Sequence, residues 1–271
     1  MVLVWPVPDY YFLSLLKYFL IQLIKKNLVI AYKQTVLGPL LQIINPLLQC
    51  GIFSILFGSI IKIDTDGIPI YLYYIVPLTL WSFFKLSVIK TSNIFTQNRE
   101  LFRSFYFPRI LVSLASIIEN FILYIIQLLI LILIIFIFKF FTPSINFIFL
   151  KVLLSFFSIM LLFFLSLSIG LLLSSLSFKY RDLNYFYDYG LQILFFGTPI
   201  LYSVNSISAN YHWLYHFNPI YYPFMFYKSM LLNTQIPNLL FLFSGLLISL
   251  IIFCFSILLF NHACKFSDDY I

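Results

Sequence analysis

Apolar residues run along this chain in long blocks, broken by short polar or turn-forming stretches. A spanning helix needs about 20 mostly apolar residues to cross a hydrocarbon core of about 30 Å. Six blocks meet that length, at residues 40–61, 70–89, 110–138, 147–176, 184–203 and 238–260. The blocks over 110–138 and 147–176 exceed what the core requires and predict helices that tilt or protrude. The expected fold is an all-α integral membrane protein, with residues 1–271 forming one transmembrane domain.

Residues 10–34 behave differently. Their apolar part is short and is interrupted by Lys17. Ser14, Lys17, Gln22, Lys25 and Lys33 recur at roughly helical spacing, with Phe12, Leu16, Phe19 and Leu23 between them. This pattern predicts an amphipathic helix lying in the membrane interface. A seventh span is the alternative, and its length argues against it.

Breaks in the pattern carry information too. Gly197-Thr198-Pro199 should end or kink the fifth span, because Pro removes a backbone donor and clashes with the preceding turn. Asn218-Pro219 and Tyr222-Pro223 then punctuate residues 204–237, a segment too apolar for a solvated loop. Two short helices dipping back toward the membrane would suit it, since irregular backbone at depth must be satisfied by protein or a water-filled cavity. In the fourth span, Ser166, Gly170 and Ser174 make a small-xxx-small seam for close helix packing.

Composition sharpens the class. The chain is 62% hydrophobic and 9% charged, against about 25% charged in soluble domains. Its 34 Phe, 20 Tyr and 3 Trp are the opposite of a disordered composition. The net charge of +7 lies in residues flanking apolar blocks, which favours membrane orientation over a nucleic-acid partner. With both termini inside, Lys17, Lys25, Lys26, Lys33, Lys90, Lys179, Lys265 and every arginine (Arg99, Arg103, Arg109, Arg181) fall on the cytoplasmic side. Lys62, Lys139, Lys151 and Lys228 fall outside or near it, and Lys85 sits within the second span. Residues 1–9 carry no basic leader region, so no cleaved signal peptide is expected. The three cysteines suggest no disulfide framework, and Cys50 and Cys254 read as small hydrophobes.

Catalytic chemistry finds little support. No segment has the G-x-x-x-x-G-K-[ST] pattern that cradles ATP phosphates, and no nucleophile elbow is present. His212 and His216 lie four residues apart without nearby acidic or thiol ligands, a poor metal site. Glu119 and Asp188 fall within or beside the membrane, where a carboxylate is costly and suggests function, or else a structural pair with Lys85 or Arg181. Tyr211, Trp213, Tyr215, Tyr221 and Tyr222 crowd the outer segment. They read either as an interfacial belt or as aromatic faces lining a path for a sugar polymer.

Several stretches, taken in order, resemble one family. They are Tyr32-Lys33-Gln34-Thr35-Val36-Leu37-Gly38-Pro39-Leu40, Asn45-Pro46-Leu47, Phe57-Gly58, and Pro77-Leu78-Thr79-Leu80-Trp81-Ser82-Phe83-Phe84. Asn98-Arg99-Glu100-Leu101, Tyr106-Phe107-Pro108-Arg109, Tyr180-Arg181-Asp182, Thr198-Pro199-Ile200-Leu201-Tyr202 and Asn218-Pro219 follow. The chain thereby resembles permease subunits of bacterial type-2 ABC exporters for lipid-linked polysaccharides such as O-antigen, capsule and teichoic acid. Leu41, Pro77 and Lys228 depart from the residues most members carry there.

The resemblance implies a homodimer in the bacterial inner membrane, working with two copies of a separate ATPase that binds ATP and Mg. No cofactor is expected on this chain, nor any catalytic residue. It implies an N-terminal interface helix, six spans, and gate helices between the last two spans. It also implies two cytoplasmic coupling elements, mapping to 98–109 and 179–182. The coupling residues would be Arg99, Glu100, Arg103, Phe107, Pro108, Arg109, Tyr180, Arg181 and Asp182. Plain positive-inside anchoring is the alternative for these arginines. The substrate would be a glycan on a pyrophosphate carrier, with Lys25, Lys26, Lys33 and Arg109 as candidates to gather the pyrophosphate, and would pass Trp213, Tyr221 and Tyr222. Rival readings are a type-2 permease for drugs or small lipids, a proton-coupled transporter using Glu119 and Asp188, and a membrane enzyme using His212 or His216.

Overall fold

Within a bilayer the backbone must satisfy its own hydrogen bonds, and long apolar blocks therefore become helices. In the computed structural model every regular element among the described residues is helical. Those residues are 9–33, 38–63, 65, 67–104, 107–141, 149–180, 182–204, 208, 210, 213–234 and 239–266. The elements are α1 (Asp9–Lys33), α2 (Gly38–Phe53) with a π-helical continuation (Ser54–Ile60), and α3 (Ile70–Ser92). Two short helices follow, α4 (Ile94–Gln97) and α5 (Arg99–Ser104), then α6 (Ile110–Phe141), α7 (Phe149–Ser177) and α8 (Leu183–Phe196). The last three are α9 (Trp213–Phe217), α10 (Tyr221–Leu232) and α11 (Leu239–Phe266).

Five stretches are long and apolar enough to cross a membrane: Ile43–Ile60, Ile70–Ser92, Ile110–Phe140, Phe149–Ser177 and Gly245–Lys265. They match five of the six predicted blocks. The block expected over 184–203 is shorter in the structure. Helix α8 has 14 residues, rising about 21 Å, which falls short of the core thickness. The break comes where Gly197 and Pro199 stand: Thr198 Oγ1 donates to the Leu194 carbonyl at 2.7 Å, and the chain turns through 197–200.

Helix α3 is the centre of the bundle, enclosed by α2, α6, α7, α8 and α10. Its tightest crossing is with α7, at the predicted small-residue seam. Ser166, Gly170 and Ser174 are buried, and a Cβ on Gly170 would lie 2.4 Å from Thr91 Cβ. Further along, the Ser177 hydroxyl donates to the Ser92 carbonyl at 3.0 Å. Helix α11 packs on α7 and turns Phe243, Leu247, Leu250, Ile251, Phe255 and Leu258 outward along one stripe. An apolar face of that length suits lipid, not water.

Helix α1 lies against α6, burying Leu23, with Leu16, Phe19, Leu20 and Ile24 packed beside it. Lys17, Lys25 and Lys26 point away and are exposed. A second apolar cluster closes the same end of the bundle around Phe95, Phe102 and Phe260.

Candidate transport path and coupling surface

Carboxamides inside apolar helices are unusual, because each buried amide needs hydrogen-bond partners. Five of them converge here. Asn45 and Gln49 sit one turn apart on α2, Asn120 and Gln127 share a face of α6, and Gln192 comes from α8. With Ser82 and Lys85 of α3 they line a cavity of about 530 Å³. Phe53, Trp81, Phe195 and Phe196 supply its apolar wall. Ser82 Oγ donates to the Thr79 carbonyl at 2.7 Å and to Gln127 Oε1 at 3.4 Å. Asn120, 3% exposed, donates to Ser87 Oγ at 3.5 Å, while its Oδ1 has no hydrogen-bond partner among the described residues. Tyr124, also on the wall, donates to the Tyr227 hydroxyl at 3.0 Å and ties α6 to α10. Such a surface can bind hydroxyls; it holds no nucleophile–base pair.

Both carboxylates singled out in the sequence are paired. Glu119 accepts from Lys90 at 2.7 Å, joining α6 to the end of α3. Asp188 lies 3.7 Å from Lys85, its partner anticipated from the sequence, and both side chains are about half exposed.

The residues expected to couple to a partner divide into two groups. Glu100, Arg103, Pro108, Tyr180 and Asp182 are exposed, with Lys179 over the Tyr180 ring at 5.3 Å. Phe107 and Arg109 instead hold the segment to the bundle. The Phe107 ring sits 4.7 Å from Phe19 of α1, and Arg109 donates to the Cys264 carbonyl at 2.7 Å while lying 5.5 Å from the Phe102 ring. Arg99 is half-buried. Phe95 packs, with its ring tilted, on Phe102 of the first predicted coupling element at 5.7 Å and on Phe178, which directly precedes the second, at 6.1 Å. Arg181, Tyr211 and His212, and the side chains of Lys33 and His216, lie outside the described residues.

The outer aromatics separate by depth. Trp213 is exposed, Tyr221 is half-buried and stacked on Tyr215 at 4.9 Å, and Tyr222 is buried beside Gly245 of α11. Burial pushes the phenols of Tyr215, Tyr221 and Tyr222 up, the last to about 12, so this cluster stays neutral at physiological pH. Two motifs far apart in sequence meet here. The Asn218 side-chain amide donates to Thr198 Oγ1 at 3.0 Å and to the Gly197 carbonyl at 3.3 Å, while its Oδ1 accepts from Ile220 N at 3.0 Å. One side chain thus satisfies both the turn after α8 and the turn before α10. The buried Lys228 of α10 lies over the Tyr73 ring of α3, 3.4 Å from its centroid.

Long apolar helices around an amide-lined cavity make this a multi-pass membrane protein. The chain belongs to the ABC-2 type transporter family, which it matches over residues 18–232. It is similar to two proteins of Klebsiella pneumoniae, each described as "O-antigen export system permease protein RfbA". One is 23% identical over 214 residues and the other 25% over 215, each covering 79% of this chain and 80% of the relative. A Myxococcus xanthus protein of the same description is 22% identical over 189 residues, 70% of each chain.

The cavity amides went unremarked in the sequence. A signal existed: Asn45 and Gln49, and Asn120 and Gln127, are among the side-chain amides that interrupt apolar blocks, at spacings that share a helix face.

Proposed function

We propose that this chain is the channel-forming subunit of an ATP-driven exporter that moves a lipid-linked, O-antigen-like polysaccharide across the bacterial inner membrane. The observation that carries this reading is the similarity to export permeases over about four-fifths of their length. The amide-lined cavity supports it, because a polymer of sugars crossing a bilayer needs hydroxyl partners that lipid does not offer.

Two copies would enclose the path, each contributing α2 and α8. Those helices turn Leu48, Ile52, Tyr185, Phe186, Tyr189 and Ile193 outward, aromatics prominent among them. ATP and Mg belong to a separate partner ATPase, which docks on the cytoplasmic end bearing Arg103, Glu100, Tyr180 and Asp182, with both termini on that side. The shared ring cluster around Phe95 makes the two coupling elements move together. The Phe19–Phe107 contact passes that motion to α1, whose Lys25 and Lys26 attract the carrier pyrophosphate. Conformational change then follows from the partner's differing affinity for two states of the bundle.

Deleting the gene for this chain tests the proposal. Surface polysaccharide should disappear while lipid-linked polymer accumulates inside, and both should be reversed by restoring the chain. Unchanged surface polysaccharide in the deletion strain would overturn it.

A further inference from the structure

The charge around the cavity is more specific than its size. Lys85 is the one charged side chain lining it among the described residues, and Asp188 stands 3.7 Å from its ammonium. The neighbouring charges, Lys90 and Glu119, are paired to each other at 2.7 Å. What the wall presents beyond these balanced pairs is carboxamide: Asn45, Gln49, Asn120, Gln127 and Gln192. An amide offers donors and an acceptor together, which suits a sugar hydroxyl that both gives and receives a hydrogen bond. A sugar carboxylate is acceptor-only. It would lose water at this wall, meet Asp188 beside the one available cation, and find no uncompensated positive charge.

We propose that the cavity binds uncharged, polyhydroxylated sugar units through its amides and discriminates against acidic ones, with Asp188 as the residue that sets this preference by neutralising Lys85. The inference rests on the permease reading and narrows it to a neutral glycan backbone at this depth, the carrier pyrophosphate being held elsewhere.

The test uses the permease purified with its partner ATPase in lipid nanodiscs, probed by saturation-transfer NMR with mannotetraose and tetragalacturonate. The neutral probe should bind at least fivefold more tightly than the acidic one. Asp188→Asn should leave mannotetraose unchanged and tighten tetragalacturonate about fivefold, and adding Lys85→Met should abolish that gain. Residues 85 and 188 are both half exposed, so these variants should assemble normally. Gln49→Leu with Gln192→Leu, two exposed amides, should weaken mannotetraose at least tenfold. Equal binding of both probes to the wild type, or no response of the acidic probe to Asp188→Asn, would overturn the charge preference. Mannotetraose binding unaffected by the double amide variant would overturn the amide wall. Failure of the permease reading looks different: neither probe binds, and cells lacking the chain keep normal surface polysaccharide.

Discussion

Helix α2 with its π-helical continuation and helix α3 are both long and apolar enough to span a membrane, yet the bundle treats them oppositely. Of the most apolar stretch of α3, 78% is buried inside the protein; for α2 with its π-helical continuation the figure is 17%. Helix α3 is therefore framework. Two of its small polar residues donate to its own backbone, Thr79 to the Val76 carbonyl and Ser92 to the Ile89 carbonyl. Helix α2 keeps Asn45 and Gln49 at a cavity and turns Leu48 and Ile52 outward. Hydropathy cannot separate two such helices, because lipid and protein interior are equally apolar to a Leu. What separates them is where small residues and carboxamides fall. Small residues mark the fixed crossing; amides mark the cavity wall.

Two glycines give the largest contrast. Gly170→Leu should prevent assembly, because even a Cβ there would meet Thr91 at 2.4 Å. Fluorescence-detected size exclusion should show aggregated or missing protein. Gly51→Ala on α2, where nothing lies within 4 Å of the new methyl, should elute as wild type.

Next comes the ion pair that anchors the end of α3. Glu119→Ala leaves the Lys90 ammonium without its partner and should cost about 2 kcal/mol, below the range for fully buried pairs because Lys90 partly reaches solvent. A drop of several degrees in thermal unfolding, partly recovered in Glu119→Gln, would show it. The half-exposed Lys85–Asp188 pair should contribute under about 1 kcal/mol, so Lys85→Met should unfold as wild type does.

Two of the three arginines in the segment 98–109 complete the series. Arg109→Ala loses a charge-assisted hydrogen bond to Cys264 and should destabilise the permease by about 1.5 kcal/mol. Smallest in stability is Arg103→Glu, at an exposed position. It should leave unfolding unchanged while reducing co-purification of the partner ATPase or surface glycan. Wild-type levels of both would remove Arg103 from the docking surface.

Much of this was legible in the sequence for physical reasons. Blocks of hydrocarbon-core length gave five long helices, since membrane depth fixes helix length. Ser166, Gly170 and Ser174 marked the α3–α7 crossing, since only small residues let backbones approach so closely. Gly197 and Pro199 announced the end of α8, although the predicted block continued to 203. The pairing of Lys90 with Glu119 was hidden, because 29 residues separate them and periodicity carries no information about which helices touch. Tyr222 was read together with Tyr221 and Trp213, yet adjacent residues on a helix point in different directions, and packing against α11 buries it. The cavity was hidden for the same reason: Asn45 and Gln49 share a face of α2, and Asn120 and Gln127 a face of α6, but no local pattern says that α2, α6 and α8 meet.

The most direct test compares the two helices in the working exporter. In a background lacking Cys50, Cys254 and Cys264, single cysteines at Gln49 and Gln192 on the cavity and at Ser87 on the buried face of α3 are exposed to a membrane-impermeant thiol reagent. Cells exporting glycan and cells unable to synthesise it are labelled in parallel. The cavity positions should react when glycan is absent and be protected when it is passing through, while Ser87→Cys stays unreactive in both. Equal labelling of Gln49→Cys and Gln192→Cys with and without glycan would contradict a substrate path at this cavity.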